Sequence, residues 1–228
     1  VPAAGSIVAA NQLANTAPRD GTTIGLMQRG VLLAQITNPS AVRYSVTSFR
    51  WIGSLASETG VVLAYGSAPH QTAQDLFEKE LIVGAHAGVD PETSARLFNA
   101  LLGTKFRLVM GYNGTTAIGL AMERGEVQGI ADWSWSSLKA QRPAWIRDKS
   151  VRILMQGALE RDKELPGVPN ALDFVKDGTD RKVLELYFTQ KTVARPLLTP
   201  PDVPMERVEI LRKAFMALDG DAAFHDEA

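Results

Sequence analysis

The chain contains no cysteine among its 228 residues. This absence excludes disulfide bonds, thiol catalysis and thiolate metal sites, and it leaves cytoplasm and periplasm equally open. The three histidines, His70, His86 and His225, are scattered without metal-ligand spacing, and the carboxylates do not cluster. We therefore expect no metal site.

The sequence also lacks an excess of either sign of charge, and it has no long apolar run. Lys and Arg number 24 against 25 Asp and Glu, which gives a net charge of −1, and no stretch concentrates basic residues. The sequence therefore lacks the concentrated positive charge that binding of a nucleic acid requires. No apolar run approaches the roughly 18 to 20 residues that span a bilayer, and residues 1–6 lack the pattern of a secretion signal. We expect no nucleic-acid partner, no membrane-embedded segment, and a targeting segment that was removed or lies upstream.

Motifs of nucleotide and hydrolytic chemistry are absent as well. The sequence has neither a Gly-x-Gly-x-x-Gly fingerprint nor a Walker loop, so we predict no cofactor. Ser136 or Ser137 with His86 and Asp132 would supply the residue types of a hydrolytic triad, but no Gly-x-Ser-x-Gly elbow accompanies them. A serine hydrolase stays a remote alternative, and we expect the protein not to be an enzyme.

What the sequence does contain is a regular alternation of helix and strand patterns. With 45% apolar and 21% charged residues, the chain can bury a substantial core. Apolar spacing and the positions of Gly and Pro predict helices at 6–17, 72–78, 90–102, 171–175, 180–187 and 205–217, and strands at 22–27, 49–55, 61–65, 81–84, 106–110 and 151–156. This order predicts an α/β fold with mainly parallel sheets flanked by helices.

Two stretches are interpreted as crossings between lobes. Polar and small residues at 57–60 separate two strand patterns, and 191–199 is an extended segment that returns the chain to its start. We predict a first lobe of residues 1–60 and 190–228, a second lobe of residues 61–189, and a ligand cleft between them.

Residues 106–137 carry the clearest functional signal. The pattern there is a strand, a glycine turn at 111–116, a helix to Arg124, a second strand, and the sequence DWSWSS at 132–137. Backbone N–H groups at the start of a helix have no intrahelical acceptor and lie at the positive end of the helix dipole. The turn therefore predicts binding of a carboxylate or a phosphate.

Short Gly and Pro motifs follow one another along the whole chain. They are VPAAGSIVAA at 1–10, APRDGT at 17–22, GYNGT at 111–115, GEV at 125–127, LPGVP at 165–169 and LTPP at 198–201. In this order and approximate spacing the chain resembles the substrate-binding receptors of tripartite tricarboxylate transporters, the TctC or Bug-type proteins.

The resemblance implies a periplasmic, two-lobed receptor with the type II-like fold of periplasmic binding proteins and without catalytic activity. Such receptors hold small organic acids, commonly di- or tricarboxylates, between their lobes and present them to a membrane permease. We expect the receptor to be a monomer. Relatives carry a first strand and glycine-rich turn before the segment that matches residue 1, and a further segment beyond residue 228. We therefore interpret the first lobe as lacking both.

Tyr112, Gly114, Thr115 and Thr116 match the second-lobe turn that contacts the ligand carboxylate in this family. Glycine permits close approach of a ligand, and the threonine hydroxyls add hydrogen-bond donors. The alternative interpretation is a plain Gly/Asn turn capped by threonine.

Ala85, His86 and Ala87 belong to the loop 84–88, which matches a Gly/Ser-rich loop of the family. The histidine either donates to the ligand or is a surface or packing residue. Here the chain departs from the pattern, because Asp90 and Glu92 stand where relatives often have small hydroxyl residues. Their carboxylates either cap the following helix or compete with an anionic ligand for its positive end.

In the first lobe, Gln28, Arg29 and Gly30 follow the strand at 22–27. The planar guanidinium of Arg29 matches a carboxylate with two parallel hydrogen bonds, although surface arginines are common. Arg195, in the returning segment, either contacts the ligand or makes a helix-capping or interlobe salt bridge.

Asp132, Trp133, Ser134 and Trp135 follow a strand where relatives approach the ligand. In an extended segment, Trp133 and Trp135 share one side, where an indole would contact the methylene groups of an organic acid. Ser134 would reach a ligand oxygen. In the alternative, one tryptophan is a core residue and the other packs between lobes, while Asp132 accepts from interlobe donors rather than from the ligand.

A second function class stays open. Similar two-lobed modules serve as effector-sensing domains of regulators, and the cleft residues do not separate the two roles. A DNA-binding domain or a transmembrane helix upstream in the full gene would favour sensing.

Overall fold

The structure, a computed structural model, describes residues 6–87 and 90–227. Residues 1–5 of the first quoted motif and Gly88 of the predicted ligand loop lie outside them. Contacts divide the chain into two compact units, one of Val1–Ser57 and Val193–Ala228 and the other of Glu58–Thr192. We call them unit 1 and unit 2.

In chain order, the elements are α1 (Ile7–Asn15), β1 (Gly25–Leu26), α2 (Ala34–Thr37), β2 (Arg50–Ser54), β3 (Gly60–Tyr65), α3 (Asp75–Glu78), β4 (Leu81–Gly84), α4 (Asp90–Leu102), β5 (Phe106–Val109), α5 (Thr115–Glu123), β6 (Gly129–Ser134), α6 (Trp135–Gln141), α7 (Pro143–Arg147), β7 (Val151–Gly157), α8 (Gly178–Thr189), β8 (Pro196–Thr199), α9 (Met205–Ala217) and α10 (Ala222–Glu227). Short 3-10 helices lie at Arg29–Leu32, Val46–Ser48, Ala171–Phe174, Gln190–Val193 and Leu218–Gly220. None of the described helices combines the length and the apolar character needed to cross a membrane.

Unit 1 has a three-stranded sheet in the order β1-β8-β2. Both pairings are antiparallel, so the expectation of a parallel sheet is wrong for this unit. The reason is that β8 enters between β1 and β2 only after the chain has passed through unit 2, and local spacing does not reveal its direction. The apolar face of α1 packs with Leu198 of β8 in the core of this unit.

Unit 2 has a five-stranded sheet in the order β5-β4-β6-β3-β7. The pairings of β4 with β5 and β6 are parallel, as predicted, whereas β3 pairs antiparallel with β6 and β7. The core contains Ile118 and Met122 of α5, and Trp133 on β6. Helix α4 buries Ala95, Phe98 and Leu102 among others, which follow the three- and four-residue spacing of a helix face.

The predicted helices at 90–102 and 205–217 agree with α4 and α9. The strand predicted at 22–27 is regular only over β1, and the helix predicted at 72–78 only over α3. Helices this short are marginal by themselves and depend on packing, so their bounds are not set by local sequence alone.

Candidate functional site

The loops that follow β4 and β5 leave unit 2 side by side. Gly84 pairs with Val109 in the parallel register, and the Ala85 N–H donates to the Val109 carbonyl at 2.9 Å. Because the carboxyl ends of parallel strands share one edge of a sheet, the structure brings the loop at 85–87 next to the turn at 111–116. Ala85 is buried, His86 is half-buried and Ala87 is exposed.

The turn before α5 requires glycine at two positions. Gly111 has φ 105° and Gly114 has φ 98° with ψ 171°, conformations that residues with a side chain rarely adopt. A Cβ atom built at either glycine would meet no described atom within 4 Å. Thr115 and Thr116 open the helix, so their N–H groups are among those without an intrahelical acceptor. The backbone of this turn can be approached closely by a ligand.

Tyr112 and His86 have perturbed acid–base properties. Burial raises the pKa of the Tyr112 phenol, and the negative charge of Glu126 adds to the effect. Burial lowers the pKa of the His86 imidazole, and the charges of Asp90 and Glu92 oppose this shift. His86 is therefore held more strongly in its neutral form, which has one donor and one acceptor nitrogen.

In unit 1 the structure brings Gln28 and Arg195 together. Arg195 Nη1 donates to Gln28 Oε1 at 2.7 Å, next to the bond from the Met27 N–H to the Pro196 carbonyl. Arg29 is only 6% exposed, and Gly30 is exposed in the same 3-10 helix. The four predicted residues thus lie around the junction of β1 and β8.

A surface depression of about 460 Å³ in unit 1 lies elsewhere, and it is lined by Asp20, Gly21, Thr22, Glu206, Arg207, Ile210 and Leu211. The Thr22 hydroxyl holds the pKa of Asp20 below its usual value, so this carboxyl stays ionised. None of the predicted ligand residues lines the depression, whose charged groups are Asp20, Glu206 and Arg207.

Asp132 is buried and paired within unit 2. Its Oδ2 accepts hydrogen bonds from Lys191 Nζ at 2.7 Å and from Ser94 Oγ at 2.5 Å. The carboxylate charge is thus balanced by a lysine of the same unit. The donors that Asp132 accepts from, Ser94 and Lys191, thus both belong to unit 2, and its contact with a ligand stays a prediction.

Trp133 and Trp135 lie in two different elements, β6 and α6. The segment stops being extended at Ser134, because α6 begins at Trp135, so the alternation of an extended segment does not reach Trp135. Trp133 is fully buried in the core, edge-to-face with Trp145 at 5.8 Å between ring centroids. Trp135 is 8% exposed and its Nε1 donates to Glu164 Oε2 at 2.6 Å. Trp133 is therefore a core residue.

Ser134 is the last residue of β6, the strand next to β4 in the sheet. Val83 pairs with Gly129 at the start of β6, so Ser134 is five residues beyond that level. At about 3.3 Å per residue the separation along the strand is about 16 Å. The structure thus brings together the predicted residues at 85–87 and 112–116, and Ser94 of α4 links Asp132 to the helix that follows the first of these two segments.

Sequence reasoning missed several polar residues around Asp132 and α6. Glu58 accepts from the Ser136 N–H at 3.2 Å and from its hydroxyl at 2.5 Å, and Lys191 is buried beside Asp132. These partners are between 59 and 78 residues apart in the chain. The only local signal was the position of Glu58 and Lys191 in the two predicted crossings.

Among residues 6–87 and 90–227, no group of three His, Cys, Asp or Glu side chains is arranged to hold a metal ion.

No protein-family model matches the chain, and no curated protein matches it. Solved structures do. A TctC solute-binding protein from Polaromonas is 18% identical with a TM-score of 0.69, and the match covers 99% of this chain and 73% of that one. The periplasmic binding protein BugD is 20% identical with a TM-score of 0.71, over 98% and 72%. MatC from Rhodopseudomonas palustris, solved with bound malate, is 23% identical with a TM-score of 0.66, over 97% and 72%.

The chain therefore has the α/β fold of periplasmic solute-binding proteins, as the sequence predicted. The proteins with this fold that it is similar to include TctC-type and Bug-type proteins.

Proposed function

We propose that the chain is a TctC/Bug-type solute-binding receptor that captures a small di- or tricarboxylate in the periplasm. The observation that carries this proposal is the structural match of 97–99% of the chain to solute-binding proteins, one of which holds malate. The ordered Gly and Pro motifs support the same family independently of the coordinates. A receptor role needs no covalent step and no cofactor.

The turn before α5 supports a carboxylate as the ligand group. Its glycine backbone is open to close approach, and the N–H groups of Thr115 and Thr116 lie at the positive end of a nine-residue helix. The first turn of α5 contains no acidic side chain, so no protein carboxylate of that turn competes for these donors. The two threonine hydroxyls supply further donors.

We propose that Arg29, with Gln28 and Arg195, supplies the contacts of unit 1 to the same ligand. A guanidinium offers two parallel hydrogen bonds to a carboxylate, which a protein of net charge −1 needs for holding a dianion. The ligand would favour a closed form by its differential affinity for that form. We also propose that the receptor delivers its ligand to a tripartite tricarboxylate-type permease, that it is a monomer and that it has a ligand cleft.

Isothermal calorimetry and thermal-shift measurements against malate, succinate, citrate, adipate, glutamate and aromatic acids test the function. We expect at least one di- or tricarboxylate to bind and to raise the melting temperature, because a ligand that binds only the native state stabilises it by mass action. Glucose serves as the uncharged control. Stabilisation by glucose and by none of the acids would overturn the proposed ligand class.

A further inference from the structure

Five side chains form a continuous polar chain inside unit 2. Lys191 Nζ donates to Asp132 Oδ2 at 2.7 Å, and Ser94 Oγ donates to the same oxygen at 2.5 Å. The Tyr187 hydroxyl lies 2.9 Å from Ser94 Oγ and 3.0 Å from Asp90 Oδ1. We call these five residues the buried polar chain. It connects β6, α4, α8 and the 3-10 helix that ends unit 2.

Most residues of the buried polar chain are shielded from solvent. The side chains of Lys191 and Asp132 are 1% and 2% exposed, and Ser94 and Tyr187 are also buried. Burial, together with the charges of Asp90 and Asp132, raises the pKa of Tyr187 well above its ordinary value of 10, so the phenol keeps its proton. Tyr187 has a single hydroxyl proton, which it donates to Asp90 Oδ1, while Ser94 gives its own proton to Asp132.

One end of the buried polar chain lies at the start of α4, and the other lies near the points where the polypeptide passes between units. Asp90 is the first residue of α4, the helix that follows β4 in the chain. At the other end, the Lys191 carbonyl accepts the Glu58 N–H at 2.8 Å. Glu58 and Lys191 stand next to the two points where the chain passes between units. The Tyr187 hydroxyl on α8 therefore contacts two residues near the start of α4, Asp90 and Ser94.

We propose that Tyr187 is a positioning residue that fixes the start of α4, and with it the loop at 85–87, for ligand binding. The identity of the ligand rests on the proposed function. The positioning role of Tyr187 rests on the geometry of unit 2. A loop displaced by about 1 Å from its binding position loses much of its contribution, because hydrogen bonds weaken steeply with poor geometry. Tyr187 itself need not touch the ligand.

The test uses the full chain with Tyr187→Phe, which removes only the hydroxyl and keeps the ring. The matched control is Thr104→Val, which removes another buried hydroxyl, the donor to Asn99 Oδ1 at 2.8 Å, just beyond the opposite end of α4. Amide hydrogen exchange at residues 94–97 reports the start of α4, and calorimetry with malate reports binding. For Tyr187→Phe we expect about tenfold faster exchange there and about tenfold weaker binding, the effect of one lost hydrogen bond. For Thr104→Val we expect neither change.

Unchanged exchange at residues 94–97 in Tyr187→Phe would overturn the proposal whether or not malate binds. Faster exchange with an unchanged malate affinity would also overturn it, since the hydroxyl would then only stabilise the helix. Failure of the unmodified protein to bind malate would count against the proposed ligand instead, and the exchange result alone would then decide whether Tyr187 fixes α4.

Discussion

The ion pair of Lys191 and Asp132 offers the sharpest test of how unit 2 is held together. Replacing Lys191 by Met keeps an unbranched side chain that is one atom shorter, and it removes the charge. The carboxylate of Asp132 would then be buried with only the Ser94 hydroxyl on its Oδ2. Leaving one charge of a buried pair without its partner costs about 3–5 kcal/mol. With a urea dependence of about 2 kcal/mol per molar, the unfolding midpoint should fall by about 2 M.

Removing both charges together should restore most of this loss. In the double variant Lys191→Met/Asp132→Asn, the amide oxygen still accepts from Ser94 and no charge stays buried. Replacement of a whole buried pair by uncharged groups is often neutral or stabilising. We expect the double variant to lie within about 1 kcal/mol of the unmodified protein. The matched control is Lys139→Met, which breaks an exposed pair with Glu164 and should cost at most about 1 kcal/mol.

Tryptophan fluorescence during urea unfolding is the assay for this series. Three of the four tryptophans, Trp133, Trp135 and Trp145, belong to unit 2, and Trp51 belongs to unit 1. The signal therefore reports mainly the unit that carries the pair, which matters because two units need not unfold in one step. A cost below about 1 kcal/mol for Lys191→Met would refute the reasoning, as would a double variant as unstable as the single one.

Three further predictions concern single positions. Gly60→Ala would place its Cβ 2.1 Å from Asp132 Oδ1 and should cost at least about 1–3 kcal/mol in urea unfolding, whereas Gly167→Ala, where a Cβ meets no described atom within 4 Å, should not destabilise. Gly114→Ala cannot keep φ 98° without strain, so it should lower the free energy of unfolding by about 1–3 kcal/mol and weaken malate binding in calorimetry. An unchanged affinity for malate would exclude this turn from the site. The lowered pKa of His86 means that protonation favours the unfolded chain, so its contribution to stability is full above about pH 6.5 and is lost as the pH falls below it. Melting temperatures from pH 8 to 5 should decline less in His86→Gln, and equal declines would contradict the assignment.

Local sequence predicted the elements whose signals are local. The apolar spacing of α4 and α9 lies within these helices, and the Gly and Thr residues that specify α5 lie just before it and at its start. The order of strand and helix then restricted the fold class, because alternating units favour an α/β arrangement. The family motifs pointed to the same fold as the solved structures.

Local sequence patterns could not predict properties that depend on residues far apart in the chain. Asp132 was a ligand candidate because its partners, Ser94 and Lys191, stand 38 and 59 residues away in the chain. Trp133 and Trp135 were placed on one side because the pattern did not show that α6 begins at Trp135. The direction of β8 likewise follows from the path of the chain through unit 2, and no spacing within the strand reports it.

The two helices that start at the carboxyl edge of β4 and β5 differ in their charge, and this difference selects one of them for an anion. Helix α4 begins with Asp90 and Glu92, whose negative charges already complement its positive end. The first turn of α5 has no acidic residue, and its glycine turn is open. Asp132 adds little negative potential nearby, because the ammonium of Lys191 lies 2.7 Å from its oxygen. A ligand carboxylate in unit 2 should therefore bind at Thr115 and Thr116, with the loop at 85–87 shaping the space beside it.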